Sequence, residues 1–371
     1  MSAYIIRRLL LIIPTLFGIM VINFLVVQVV PGGPIEQLIA RFQGTAVDVT
    51  ARVSGAGQSE NLNQGQRQAS QSGGIASKYR GAQGLDPEYI KELEKLYGFD
   101  KPAHERFAKM IVQYVTFDFG ESYFRDRQVI DLVLDKMPVS ISLGLWTTLL
   151  VYMISIPLGI TKAVRDGSRF DFWTSSIVVV GNAVPSFLFA ILLVVLFAAG
   201  GQFFNWFPLR GLVSPNWDEL GAVDKVTDYF WHLALPILSM VIGGFAALTL
   251  LTKNSFLEEI NKQYVITARA KGLTERQVLL GHVFRNAMLI VIAGFPSAFI
   301  GILFTGALLT EIIFSLDGLG LLGYKAALTR DYPVMFATLY FFALLGLVMQ
   351  LIGDLTYMII DPRIDFESRE V

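Results

Sequence analysis

Cysteine is absent from the 371-residue chain, which excludes disulfides, thiolate metal sites and a cysteine nucleophile. Histidine is almost absent too. His104, His232 and His282 are scattered along the length, so a histidine-rich metal centre is not expected. Charge is scarce: Lys, Arg, Asp and Glu make up 16% of residues, against about 25% in soluble proteins. A net charge of −1 gives no basic field for nucleic acid. The sequence also lacks a glycine-rich loop ending Gly-Lys-Ser/Thr, the loop that would cradle nucleotide phosphates.

What is abundant is apolar, at 53% of the chain. Six runs stand out, at 9–30, 139–160, 173–197, 232–251, 287–310 and 333–360. Each is long enough to cross about 30 Å of hydrocarbon at about 1.5 Å per residue. The first follows Arg7 and Arg8 as a signal peptide would. Its run is too long for one, and Pro31-Gly32-Gly33-Pro34 replaces a small-residue cleavage site, so it reads as an uncleaved first span.

Lys and Arg set the orientation. With the N-terminus inside, the inner segments hold Arg7, Arg8, Lys162, Arg165, Arg169, Lys253, Lys262, Arg269, Lys271, Arg276, Arg285, Arg363 and Arg369, and the short outer loops hold few basic residues. Both termini are therefore expected in the cytoplasm. Trp206, Trp217, Tyr229 and Trp231 crowd one outer loop as an interfacial aromatic belt would.

The domains expected are a tail and first span over 1–30, an outer region over 31–138, a membrane core over 139–360 and a tail over 361–371. Within the outer region, 43–84 is rich in Gly, Gln and Ser and reads as flexible. Residues 86–138 read as a partly helical cap. Asp86 caps a helix with Pro87 in its first turn and Tyr89, Ile90, Leu93, Leu96 and Tyr97 on one face, stopped by Gly98. Pro14, Pro157, Pro185, Pro236 and Pro296 interrupt the apolar runs. They suit either plain bundle packing or kinked helices around a pathway.

The loop 252–286 carries two capping-box patterns, Ser255 with Glu258 and Thr274 with Gln277. The first predicts a helix burying Leu257, Ile260, Tyr264 and Ala268 and ending at Gly272 as a left-handed cap. The second predicts a helix through Val278, Leu279, His282 and Val283 into the fifth span. Two capped helices with an apolar stripe suit either a solvated basic loop or a surface that packs on another protein.

Tyr264-Val265-Ile266-Thr267-Ala268-Arg269-Ala270-Lys271-Gly272-Leu273 resembles the EAA loop of binding-protein-dependent ABC importers, in the form found in peptide permeases. The likeness extends along the chain. It includes Arg7-Arg8-Leu9-Leu10, Pro31 to Pro34, Tyr97 to Pro102, Asp118 to Ser122, Gly318-Leu319-Gly320, Arg330 to Pro333 and Asp361 to Ile364. The chain thus resembles the B-type permeases of the dipeptide and oligopeptide importer family.

The resemblance implies an all-α membrane protein with six transmembrane helices in the type I ABC importer permease fold and a periplasmic insertion between spans one and two. It implies a multi-pass protein of the bacterial inner membrane that forms half of an oligopeptide pathway. The expected partners are a second permease subunit, two cytosolic ATP-binding domains, a periplasmic substrate-binding protein and lipid. No catalytic residue, metal or cofactor is expected on this chain, and ATP is used by the partner subunits. Tyr264, Thr267, Ala268, Arg269, Ala270, Lys271 and Gly272 are the expected ATPase-coupling residues, with small side chains at 268, 270 and 272 allowing close docking.

Asn182, Gln350 and Asp354 are candidates for the pathway. Asp354 either lines it or pairs with a cationic side chain near the inner interface, and Glu311, at the outer edge, reads as solvated. Two other classes are less well supported. A self-sufficient secondary transporter calls for inverted repeats and more buried charge. An intramembrane hydrolase calls for a Ser–His or carboxylate pair at depth.

Overall fold

In lipid a backbone must satisfy its own hydrogen bonds, and helix is the solution open to a single apolar run. The computed structural model describes residues 2–29, 87–96, 100–301 and 307–360. Among these every regular element is helical, and the only β pairing is two isolated bridges. The elements are α1 (Ser2–Val29), α2 (Pro87–Leu96), α3 (Ala103–Val115), α4 (Val129–Val164), α5 (Arg169–Ala183), α6 (Ser186–Phe197), α7 (Ala222–Ile260) and α8 (Gln263–Ala270). They continue with α9 (Glu275–Val278), α10 (Phe284–Ala293), α11 (Phe295–Gly301), α12 (Leu308–Ile313), α13 (Leu319–Thr329) and α14 (Tyr332–Ile360). The motifs at Pro31–Pro34 and Asp361–Ile364, the segment 43–84, Asp86, Tyr97 and Gly98, and the tail 361–371 lie outside the described residues.

Among the described residues, five helical stretches are long and apolar enough to cross a membrane: Ile5–Val26, Val129–Val164, Ala222–Ile260, Glu275–Gly301 and Tyr332–Thr356. The pair α5 and α6 makes a sixth if it counts as one span, but it is bent by 90°. Pro185 is the cause. Its ring disfavours a helical residue before it, and Val184 accordingly takes an extended conformation with ψ 122°. Of the expected run 287–310, α10 and α11 are separated by a turn at Gly294, and residues 302–306 lie outside the described residues.

The chain divides into two compact units. The first comprises Met1–Ile12, Met137–Gly320 and Leu344–Val371, and its core follows from α4 and α7 running side by side in the same direction. Trp146 Nε1 donates to the Tyr229 hydroxyl at 3.0 Å, which donates to Ser142 Oγ at 2.7 Å. Further along, Ser155 Oγ donates to the Phe245 carbonyl at 2.9 Å. At Gly159 the two helices touch: a Cβ there would lie 2.6 Å from Thr252 Cβ and 2.8 Å from the Thr249 carbonyl. Around this pair α6 packs Ser186 on Gly243, and α10 is held by Tyr152, whose hydroxyl donates to the Val291 carbonyl at 3.2 Å.

The second unit comprises Ile13–Lys136 and Leu321–Ala343. Tyr114 on α3 packs edge-on against Phe119 and Tyr340, with ring centroids 4.9 and 5.4 Å apart. The turn after α3 is fixed by Asp331, which accepts from Ser122 Oγ at 2.5 Å and from the Tyr123 N–H at 3.1 Å. Burial holds the Asp331 carboxyl above its ordinary value, against the opposing bonds from Ser122 and Tyr123.

Two predictions follow from these contacts. Gly159→Ala should cost about 1–3 kcal/mol, the usual penalty for overpacking, and lower the melting temperature in detergent. Gly18→Ala, which meets nothing within 4 Å, should leave it unchanged. The Asp331 sign is the reverse of a salt-bridged carboxylate. With the folded value raised, the stabilisation is complete below the unfolded carboxyl range and is lost as pH rises through the raised value. Proteolysis of the 116–128 turn should therefore slow on mild acidification, and Asp331→Asn should flatten that dependence.

Candidate functional site

The segment between α7 and α10 is built from three local devices. The first differs from the expectation. Ser255 and Glu258 do not start a helix, because α7 runs unbroken through them to Ile260. The Ser255 hydroxyl instead donates to the Ala287 carbonyl at 2.6 Å, tying the end of α7 to α10. The break comes later, at Asn261 and Lys262, where Lys262 is extended with ψ 151°. Leu257 and Ile260 thus belong to α7, and Tyr264 and Ala268 to the separate helix α8.

The second device is the turn after α8, which matches the reading. Gly272 has φ +84°, a left-handed conformation that glycine adopts without a Cβ penalty. Its N–H bonds the Arg269 carbonyl at 2.9 Å, and the Leu273 N–H bonds the Ala268 carbonyl at 3.4 Å. This pair of bonds is a Schellman motif. A Cβ at Gly272 would meet nothing within 4 Å within this chain, so the glycine is needed here for its dihedral. Arg269 and Glu275 pair across the turn at 3.0 Å, an exposed contact of small energetic weight.

The third device is the capping box. The Gln277 N–H donates to Thr274 Oγ1 at 3.4 Å, and the Thr274 N–H donates to Gln277 Oε1 at 2.9 Å. It starts α9, which continues through a π-helical turn at Leu279–Val283 directly into α10. Such five-residue turns often sit at functional positions in helices. The sequence carried no sign of this one.

These devices decide which side chains α8 presents. Val265 and Ala268 are buried, at 0% and 6% exposure. Tyr264 is half-buried; its hydroxyl donates to Glu259 at 2.6 Å and accepts from Asn286 at 3.3 Å. Burial, then the bond to Glu259, pushes its phenol above the ordinary value. Ile266, Thr267, Arg269, Ala270, Lys271 and Gly272 are exposed. The structure therefore separates the seven expected coupling residues. Thr267, Arg269, Ala270, Lys271 and Gly272 form the outer face, whereas Tyr264 and Ala268 anchor the helix from within. Ile266 joins the outer face although it was not singled out.

The candidate pathway residues are not drawn into one cluster. Asn182 closes α5 with an exposed side chain and hydrogen-bonds to neither of the others. Gln350 is exposed on α14. Asp354, one turn further, pairs with Arg8 of α1 at 2.9 Å, the second of its two expected roles. Glu311 corrects its reading outright. Its side chain is 0% exposed and accepts from Ser140 Oγ at 3.1 Å. Gly318 lies so close that a Cβ would stand 2.2 Å from Glu311 Oε1. The sequence could have shown this only through Gly318 and Gly320, whose lack of side chains makes the room.

Residues 155–366 match the family described as binding-protein-dependent transport system inner membrane component. The chain is 62% identical, over the full length of both, to the peptidoglycan transport system permease protein YejB of Agrobacterium fabrum. It is 58% identical, again over both full lengths, to the inner membrane ABC transporter permease protein YejB of Escherichia coli O157:H7. Identity to the oligopeptide transport system permease protein AppB of Bacillus subtilis is 32%, over 99% of this chain and 100% of that one. Among solved structures, an inward-facing MetNI methionine ABC transporter aligns with a TM-score of 0.48 at 16% identity, over 62% of this chain and 97% of that one.

The burial pattern on α8 gives a clean contrast. Ala268→Trp should lower the melting temperature and the yield of monodisperse protein, because the indole replaces a methyl group inside the core. Ala270→Trp, on the exposed face, should leave both unchanged.

Proposed function

The chain belongs to the binding-protein-dependent transport system inner membrane components, and on that premise we propose that α8 and its turn form the docking element for a separate cytosolic ATPase subunit. The chain is a permease subunit of a binding-protein-dependent ABC importer, a multi-span protein of the inner membrane with the all-α type I permease fold. The observation that supports the proposed role is the exposed face of Ile266, Thr267, Ala270 and Lys271 on a short helix clamped at both ends. Small residues at 270 and 272 let a partner approach the helix closely. Anchors at Val265 and Ala268 make α8 move with the core and not independently of it.

In this reading the α8 segment and both termini face the cytoplasm, in keeping with the Lys and Arg distribution. ATP is hydrolysed on two partner domains. A second permease subunit completes the pathway, and an external binding protein delivers the solute. Oligopeptides are the proposed solutes, in keeping with the names of the relatives, one of which is described as an oligopeptide permease and another as a peptidoglycan transporter. No cofactor or metal is assigned to this chain.

The test is reconstitution with the ATPase subunits, partner permease and binding protein in proteoliposomes. Ala270→Trp should abolish co-purification of the ATPase subunits and ATP-driven peptide uptake while the permease stays folded. Undiminished ATPase binding and uptake in that variant would sink the docking assignment. Uptake that needs no ATPase subunit would favour a secondary transporter.

A further inference from the structure

Where α4 ends, α5 begins and α7 passes, four charged side chains converge. Lys162, in the last turn of α4, is fully buried. Its ammonium bonds Asp171 Oδ1 at 2.9 Å, Ser175 Oγ at 2.6 Å, Thr174 Oγ1 at 2.9 Å and the Asp171 carbonyl at 3.1 Å. Asp171, in the first turn of α5, offers its other oxygen to Lys253 of α7 at 2.7 Å. Lys253 also meets Asp166, in the connection between α4 and α5, at 2.8 Å. One carboxylate thus joins three helices.

A lysine near a membrane edge ordinarily extends its ammonium to water, and Lys162 does the opposite. Sealing an ion pair away from water costs desolvation that its attraction only partly offsets, so such a pair adds little stability over apolar packing. What it provides is a fixed arrangement, since removing a partner from the buried side strands a charge. The position fits that role. Gly159 and Thr252, where α4 and α7 leave no room for a Cβ, lie within one turn of Lys162 and Lys253. Lys253 stands about 10 Å before the end of α7 at 1.5 Å per residue, and only Asn261 and Lys262 separate that end from α8. On its other side Asp171 heads α5, which ends at the 90° bend before α6.

We propose that Lys253, Asp171 and Lys162 form the joint that passes displacement of α8 to the bent α5–α6 pair, with Lys253 the positioning residue that engages it. The proposal rests on the reading of α8 as the ATPase-docking helix. When α8 moves, α7 moves with it through the short connection, and Lys253 pulls on the head of α5. Lys162 holds Asp171 to α4 throughout, so the α4–α5 corner turns as one piece.

Lys253→Met is the informative variant, because Asp171 keeps Lys162 as its counter-charge and the chain retains its fold. In proteoliposomes holding the complete transporter, ATPase subunits should still bind and hydrolyse ATP. Peptide taken up per ATP hydrolysed should fall on the order of tenfold, in the range of typical coupling between sites. Lys253→Arg should restore the ratio. Lys253→Gln, which keeps a hydrogen-bond donor without the charge, serves as the second variant if Lys253→Met is not monodisperse, and should show the same drop.

An unchanged ratio in the folded variant would overturn the joint. So would loss of ATPase binding from Lys253→Met, which would make Lys253 part of docking or of folding. The docking reading is judged separately by Ala270→Trp. If that variant keeps its ATPase subunits and its uptake, the docking reading fails whatever Lys253→Met does.

Discussion

The first unit depends on how closely α4 and α7 approach. Between apolar helices in lipid no hydrophobic force acts, because lipid tails are as apolar as the side chains, so association rests on close packing and inter-helix hydrogen bonds. Both are present along this pair: Ser142, Trp146 and Tyr229 bond near one end, Ser155 reaches a backbone carbonyl midway, and Gly159 sits against Thr252 at the other. Each contact would fail if the helices moved apart by the width of a methyl group. α5, α6 and α10 are placed by reference to this pair, and α8 inherits its position from the end of α7.

How much of this was legible in the sequence follows from the range of each interaction. Span lengths are set by the bilayer, so apolar runs of about 20 residues announce them without tertiary knowledge. Gly272 and the Thr274–Gln277 box are equally local, closed by bonds within a few residues, and both stand where they were expected. The Ser255–Glu258 pattern is just as local in form but failed. A box can start a helix only where one is not already running, and α7 runs through it with the Ser255 hydroxyl drawn 32 residues away to Ala287. The stripe Leu257, Ile260, Tyr264, Ala268 did identify side chains that pack on the core. It could not show the backbone break between Ile260 and Gln263, since the apolar spacing continues across it.

Buried charge was the hardest feature to read. Lys162, Asp171 and Lys253 look like ordinary residues of a basic inner loop, and nothing within four positions of any of them reveals that they meet. Glu311 likewise stands between Thr310 and Ile312, and neither betrays its pairing with Ser140, 171 positions earlier. In each case the partner comes from another helix. Composition places a charge near a membrane boundary but does not say whether it turns outward to water or inward to a partner. That choice belongs to packing: Gly318 opens the room for Glu311, and the α4–α5 corner closes over Lys162.

The distribution of these charges also bears on how such a chain can move and keep its fold. Apolar contacts between helices are nondirectional and tolerate sliding, whereas a buried carboxylate holding two ammonium groups tolerates almost none. Placing that carboxylate at the α4–α5 corner makes the corner rigid, while the extended Val184 and the break at Asn261–Lys262 are where the backbone changes direction on either side. Rigid corners joined by backbone breaks are what a lever requires. A uniformly apolar bundle of the same helices would spread a displacement of α8 among its many soft contacts, and little of it would arrive at the bend before Pro185.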